Sequence, residues 1–330
     1  MTEFMHRQAA HCESGVMSAL MTHAGFTLSE PMAFGLSAAL SFALVPFVKL
    51  SGLPLIGYRM PPRAILNGVA RRTGAALHGE TWRNAEKGMA ALDAELARGR
   101  IVGLQTSVFW LPYFPEGMRF HFNAHNLIVY GREDNDYLIS DPVFEAPVRC
   151  DRDALMKARF AKGALAARGF LYYSRHVPTA AAWNQWIPAA IRRNRRIMTG
   201  APFPFVGIRG IRRLGRQLVA LQRDTTVSPD YLALYLGHIV RMQEEIGTGG
   251  AGFRFMYAAF LREAAALTGD SRLREAAQLM TDAGDQWRVF ALRASKMCKQ
   301  REPMDTGLLN GLLNGCADQE ATVWHCLASV

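Results

Sequence analysis

The chain is short of cysteine, of acids in its second half and of long unbroken apolar runs, and each shortage removes a class of protein. The five cysteines (Cys12, Cys150, Cys298, Cys316 and Cys326) are odd in number, scattered, and in no CxxC pair. That spacing excludes a disulfide framework and gives no metal site, so reduced thiols are expected. The opening residues, MTEFMHRQAAHCESG, lack the basic stretch, apolar run and small-residue cleavage site of a secretory signal, which predicts a cytoplasmic protein. The longest apolar stretch, residues 31–48 (PMAFGLSAALSFALVPFV), nears membrane-spanning length but is interrupted by Gly35, Ser37, Ser41 and Pro46. It reads as a buried helix, with no transmembrane segment expected.

Half of the 330 residues are apolar, enough for one large domain or two ordinary ones with packed cores. The net charge of +10 is unevenly spread: residues 1–150 hold 13 Lys/Arg against 13 Asp/Glu, and residues 151–330 hold 25 against 15. Between Arg152 and Arg223 there are 15 basic side chains and one acid, Asp153. Two runs stand out: Arg192, Arg193, Arg195 and Arg196, then Arg209, Arg212, Arg213 and Arg216. Such a surface attracts phosphate or an acidic protein, or is simply a solvated helix face. The interleaved aromatics of single-strand binders are sparse among these arginines, so nucleic acid is not expected.

Val16, Ala19, Leu20 and Ala24 have helical spacing and Gly25 ends the run, which predicts a helix over 13–24 with Cys12 at its N-terminus. A further amphipathic helix is expected within 81–99. The texture then becomes strand-like at 100–111, 125–131 and 137–144, with GREDND as turn material between the last two, and a helix and a closing strand follow before Tyr173. Beyond residue 206 only helical patterns occur, capped by Ser228, by Asp270 or Ser271, and by Gly247 and Gly269. The fold class expected is α+β, N-terminal helices with an antiparallel sheet over 1–175, then a connector at 176–205 and a helical bundle over 206–330.

A thiol at a helix start is biased toward thiolate by the free amide groups and the helix dipole, which makes Cys12 a candidate nucleophile. A base is available in His125. A turn centred on residue 134 sets Asp141 opposite Leu127 and diagonal to His125, so the two side chains share a face and the carboxylate can hold the imidazole in the tautomer that accepts the thiol proton. The Cys12 amide is the natural oxyanion donor, with Gln8 or Asn126 as side-chain candidates. His121 precedes the strand and makes only a weak metal pair with His125. Phe109, Trp110, Tyr113 and Phe114 are candidates for an acyl pocket, or for core. Glu30 reads as a helix-start acid or a buried polar partner.

The ordered segments HCESGVMSAL, LSEPMAFGLSAALSF, FWLPYFPEG and AHNLIVYGREDNDYLISDP resemble the butirosin biosynthesis protein H family, and GGAGFRFMYAAFLREAA resembles the helical domain of unknown function that follows in many members. The resemblance implies a papain-like fold distantly similar to the leader peptidases of bacteriocin exporters. It also implies acyl transfer from a carrier-protein thioester, with Cys12 as nucleophile, His125 as base and Asp141 as orienting acid. One departure stands out: those peptidases place an oxyanion glutamine six residues before the cysteine, where this chain has His6.

Three functions follow from these residues. The first is an acyltransferase that takes its acyl group from an acyl carrier protein and passes it to a small-molecule amine or hydroxyl. It uses no cofactor of its own, because the phosphopantetheine arrives on the carrier, and the eight arginines of the two runs form the carrier-docking surface. The second is hydrolysis of the same acyl-enzyme, as a thioesterase, amidase or peptidase. The third is a non-catalytic basic binding protein.

Overall fold

The computed structural model describes residues 4–50 and 52–330, and these divide into two compact units, the described residues up to Ala33 with Pro62–Ala181 and those of Phe34–Pro61 with Ala182–Val330. The first unit is α+β. Its helices are α1 (Cys12–His23), α3 (Ala64–Thr73), α4 (Ala85–Ala97) and α5 (Arg152–Phe160), and α2 (Glu30–Leu36) starts in it. Six strands form one sheet: β3 (Ala76–Glu80), β4 (Val102–Thr106), β5 (His125–Glu133), β6 (Asp136–Ser140), β7 (Val148–Asp151) and β8 (Leu171–His176). Their spatial order is β3-β8-β4-β5-β6-β7, antiparallel throughout.

Strand alternation divides this sheet into two faces of different chemistry. Val102, Leu104, Leu127, Val129, Tyr137, Ile139, Leu171 and Tyr173 bury one face against Met89 and Leu92 of α4 and Leu155 and Ala158 of α5. The in-between positions, among them Gly103, Gln105, Asn126, Ile128 and Tyr172, turn to the other face, where α1 packs along β5. A buried arginine ties the helices to the chain before β8: Arg159 donates to the carbonyls of Gly88 and Gly169, both at 2.9 Å. Burial lowers its pKa to about 10.

The hairpin that carries the candidate base has the register expected of a turn centred on residue 134. Ile128 faces Ser140 and Val129 faces Ile139, and a bulge after Val129 shifts the turn end by one residue. β6 ends at Ser140, so Asp141 is the first residue beyond it rather than part of a strand reaching 144.

The second unit combines a hairpin, β1 (Leu40–Leu50) and β2 (Leu53–Arg59), with six helices: α6 (Trp183–Gly200), α7 (Gly207–Arg223), α8 (Pro229–Glu244), α9 (Arg254–Thr268), α10 (Ser271–Cys298) and α11 (Thr306–Cys326). Two expectations are corrected here. The apolar stretch 31–48 is not one helix: α2 stops at Leu36, Ala38 takes a left-handed backbone (φ 57°), and the remainder is strand. Its side chains are covered by helices far along the chain, Phe42 stacking on Trp287 at 5.9 Å and meeting Tyr58 edge-on at 5.4 Å.

The expected connector at 176–205 is mostly α6, and the catalytic domain expected at 1–175 loses residues 34–61 to the second unit. Ile187, Ala190 and Ile191 of α6 are buried, and the Asn194 amide donates to the Leu40 carbonyl at 2.7 Å. Among the described residues no helix is long and apolar enough to cross a membrane.

Candidate active site

Cys12 is the first residue of α1, and its neighbours anchor that helix start from three directions. His11 caps the helix, its ring accepting from the Ser14 amide at 3.3 Å. Glu30, at the start of α2, receives the amides of Ala10 (3.0 Å) and His11 (2.8 Å) and the Ser14 hydroxyl (3.0 Å). Glu30 is thus both a helix-start acid and a half-buried polar partner, and desolvation holds its pKa above the usual carboxylate value. Beside the thiol, the Glu13 carboxylate is fully buried and accepts from the amides of Ile65 (2.9 Å) and Leu66 (3.3 Å), which joins α1 to the start of α3. None of these carboxylate contacts follows from sequence spacing; Glu30 was marked only by its place in the LSEPMAF motif.

His125 opens β5 and its Nε2 lies 2.7 Å from Asp141 Oδ2, with both side chains buried. Asp141 is itself fixed by three donors: the imidazole, the Tyr113 hydroxyl on Oδ2 (2.9 Å) and the Val143 amide on Oδ1 (3.0 Å). Phe114 stands edge-on to the imidazole at 5.5 Å and 89°. Burial alone would lower the His125 pKa, but the Asp141 carboxylate, with a hydrogen bond to Cys12 and its charge, raises it to about 10. With Nε2 held by Asp141, Nδ1 is the ring nitrogen left for the thiol. A base of raised pKa can take a proton from the thiol beside it, and the thiolate is the form in which sulfur is nucleophilic.

Asn126 follows His125, so the strand sends it to the opposite face, under α1, and the thiol meets both. Asn126 Nδ2 lies 3.9 Å from Cys12 Sγ and donates to the Ala124 carbonyl at 3.1 Å, while its Oδ1 accepts from the Tyr172 hydroxyl at 2.9 Å. Of the two oxyanion candidates, Asn126 is therefore beside the sulfur. Gln8 is exposed and gives its amide to the Val143 carbonyl at 3.2 Å. His6, in the position of the leader peptidases' glutamine, bonds to the Ser140 hydroxyl (2.7 Å) and the Phe144 carbonyl (2.9 Å), on the loop that carries Asp141.

Residues 11–142 match the family described as butirosin biosynthesis protein H, N-terminal, and residues 153–327 match a domain of unknown function, DUF4872. The chain belongs to the DUF4872 family, whose model spans more than half of it, and the segment before that domain is similar to the N-terminal part of butirosin biosynthesis protein H. No curated protein matches the sequence. A solved structure from Bacillus anthracis, described as a candidate C39-like peptidase, is 15% identical with a TM-score of 0.36 over 54% of this chain and 96% of that one.

The aromatics of the FWLPYFPEG segment separate into two groups, which corrects the expected pocket. Phe114 is buried in the sheet core and Tyr113 packs against it, both in edge contact with Phe144, so they brace His125 and Asp141 from behind. Phe109 stacks on His121 at 4.0 Å, and Trp110, 40% exposed, stands against Phe109. A groove of about 590 Å³ follows the flank of α1 past Gly15, Ser18 and Thr22, and neither Cys12 nor His125 lines it.

On α6, Arg192, Arg193, Arg195 and Arg196 are exposed, as are Arg209, Arg213 and Arg216 on α7. Arg212 is half-buried and pairs with Asp318 at 2.5 Å. Arg213 and Arg216 border a surface depression of about 400 Å³ with Pro46 and Gln217. Among the described residues no group of three or more His, Cys, Asp or Glu side chains is placed to hold a metal ion.

Proposed function

We propose that this chain is a cysteine acyltransferase that moves an acyl group from a carrier-protein thioester, through an acyl-enzyme on Cys12, to the amine or hydroxyl of a small molecule. The observation that carries the reading is the His125 imidazole, held by Asp141 at 2.7 Å and hydrogen-bonded to a thiol at a helix N-terminus. The match of residues 11–142 to a family named for a biosynthetic protein supports transfer in a pathway of that kind.

In the first half-reaction the Cys12 thiolate attacks the thioester carbonyl carbon, and the carbonyl electron pair moves onto oxygen, which the Cys12 amide and the Asn126 side chain receive. Collapse breaks the bond to the phosphopantetheine sulfur, and the His125 imidazolium gives that sulfur its proton. In the second half-reaction His125 takes a proton from the acceptor as its nitrogen or oxygen attacks the acyl carbon, and collapse releases Cys12 as thiolate beside the re-formed imidazolium. Asp141 stabilises the imidazolium at both stages without being protonated. The exposed arginines of α6 and α7 suit an acidic carrier and its phosphate.

Intact-protein mass spectrometry with a panel of acyl-carrier thioesters tests the reading. The expected result is one acyl mass on Cys12, lost to a small-molecule amine faster than to water. Acyl mass on Cys298 or Cys326, with Cys12→Ala still loading, refutes it, and release to water alone makes the protein a hydrolase.

A further inference from the structure

We infer that Tyr172 is a positioning residue that sets Asn126 as the side-chain oxyanion donor in place of the glutamine absent at position 6. This rests on the acyl-enzyme reading above and adds a residue that neither motif nor spacing singled out. The geometry is a relay across three strands. β4 lies between β8 and β5, and Gly103 on β4 sits opposite both Tyr172 and Ile128. A Cβ at position 103 would lie 2.4 Å from the Tyr172 ring. The glycine therefore lets the phenol lie across β4 and reach Asn126.

The amide can be read in only one orientation. Tyr172 supplies a hydroxyl hydrogen to one end at 2.9 Å, and the Ala124 carbonyl needs a donor at the other at 3.1 Å. Reversing the amide would set oxygen against the Ala124 carbonyl and against the thiolate. With the phenol in place, the second N–H of Nδ2 faces Cys12 Sγ, 3.9 Å away. An acyl oxygen on a carbon bonded to that sulfur falls within reach of this N–H without any movement of the protein, the condition for an effective oxyanion donor. Asn126 and Tyr172 are both buried, and Phe170 stacks on the phenol at 5.3 Å, so the relay is rigid.

The test compares two reactions of the same thiol. Acylation by S-phenyl thioacetate passes through an oxyanion; alkylation by iodoacetamide does not. Both are followed on the Cys12 peptide by mass spectrometry in wild type, Tyr172→Phe, Asn126→Ala and the double variant. Acylation is expected to fall about 10²-fold in Asn126→Ala and about tenfold in Tyr172→Phe, at least tenfold and fivefold further than alkylation falls. The double variant should be no slower than Asn126→Ala alone, because the tyrosine acts only through the amide.

Equal losses in both reactions, wild-type acylation in Tyr172→Phe, or multiplied losses in the double variant would each overturn the inference. A wild-type enzyme alkylated at Cys12 but acylated there by neither this reagent nor any carrier thioester refutes the acyl-enzyme reading itself, and the inference falls with it. Acylation that proceeds normally but ignores Tyr172 overturns only the relay.

Discussion

Replacing Asp141 with asparagine probes the charge that organises the site while changing its shape very little. The carboxylate receives three donors, His125 Nε2 and the Tyr113 hydroxyl on Oδ2 and the Val143 amide on Oδ1. An asparagine has one oxygen for them, so its NH₂ group must face a donor. If the oxygen stays on Val143, the imidazole responds by moving its proton to Nδ1, the nitrogen that the thiol needs as acceptor. The rise of the His125 pKa from 6.5 to about 10 corresponds to on the order of 5 kcal/mol of preference for the imidazolium, shared between Asp141 and Cys12. Most of that preference disappears with the charge.

Two assays read the change. Iodoacetamide should alkylate wild-type Cys12 at a rate nearly independent of pH above 6, whereas in Asp141→Asn the rate should climb with the ordinary thiol, whose pKa is about 8.5, and be about a hundredfold lower at pH 6.5. Acyl transfer should fall by roughly 10³–10⁴. In urea denaturation, a raised histidine pKa adds stability that is complete below 6.5, fades above it and is lost as the pH passes about 10. The thiolate contributes in the opposite sense below the ordinary thiol pKa of about 8.5, so the gap between wild type and variant should be widest on a plateau from about pH 6.5 to 8.5 and shrink toward pH 10. An unchanged alkylation profile, or a stability gap that widens between about pH 8.5 and pH 10, would refute the reasoning.

Four further outcomes are expected. Cys12→Ala should still unfold in one cooperative transition and accept no acyl group, as read by calorimetry and mass spectrometry together. Reversing Arg192, Arg193, Arg195 and Arg196 to glutamate should slow loading from an acidic carrier but not from a small thioester, and the carrier rate of the wild type should fall with salt, since exposed charges are screened within about 8–10 Å. Gly103→Ala should cost about 1–3 kcal/mol in denaturant titration by crowding the Tyr172 ring, and should lower acylation more than alkylation. Glu30→Gln should turn an amide donor toward the amides of Ala10 or His11, costing about 1–3 kcal/mol and loosening the approach to Cys12.

Local pattern in the sequence already determined much of this protein. The helix after Cys12, the hairpin about GREDND with its register, and the run of capped helices beyond residue 206 all follow from periodicities of 3.6 and 2 and from turn residues acting on their near neighbours. The same pattern brought His125 and Asp141 together, because a hairpin register is set by its own turn.

Other features were decided only by the fold. The stretch 31–48 is apolar on every side, so its period cannot tell a buried helix from a buried strand; helices more than a hundred residues away supply the cover that makes it a hairpin. Phe114 and Tyr113 became supports rather than pocket because the loop after β4 folds back on the Asp141 turn. The meeting of Cys12 with Asn126, and of Asn126 with Tyr172, depends on a strand order in which β4 separates residues distant in sequence. A one-dimensional pattern records which face a side chain takes, and only the packed sheet decides which other strands share that face.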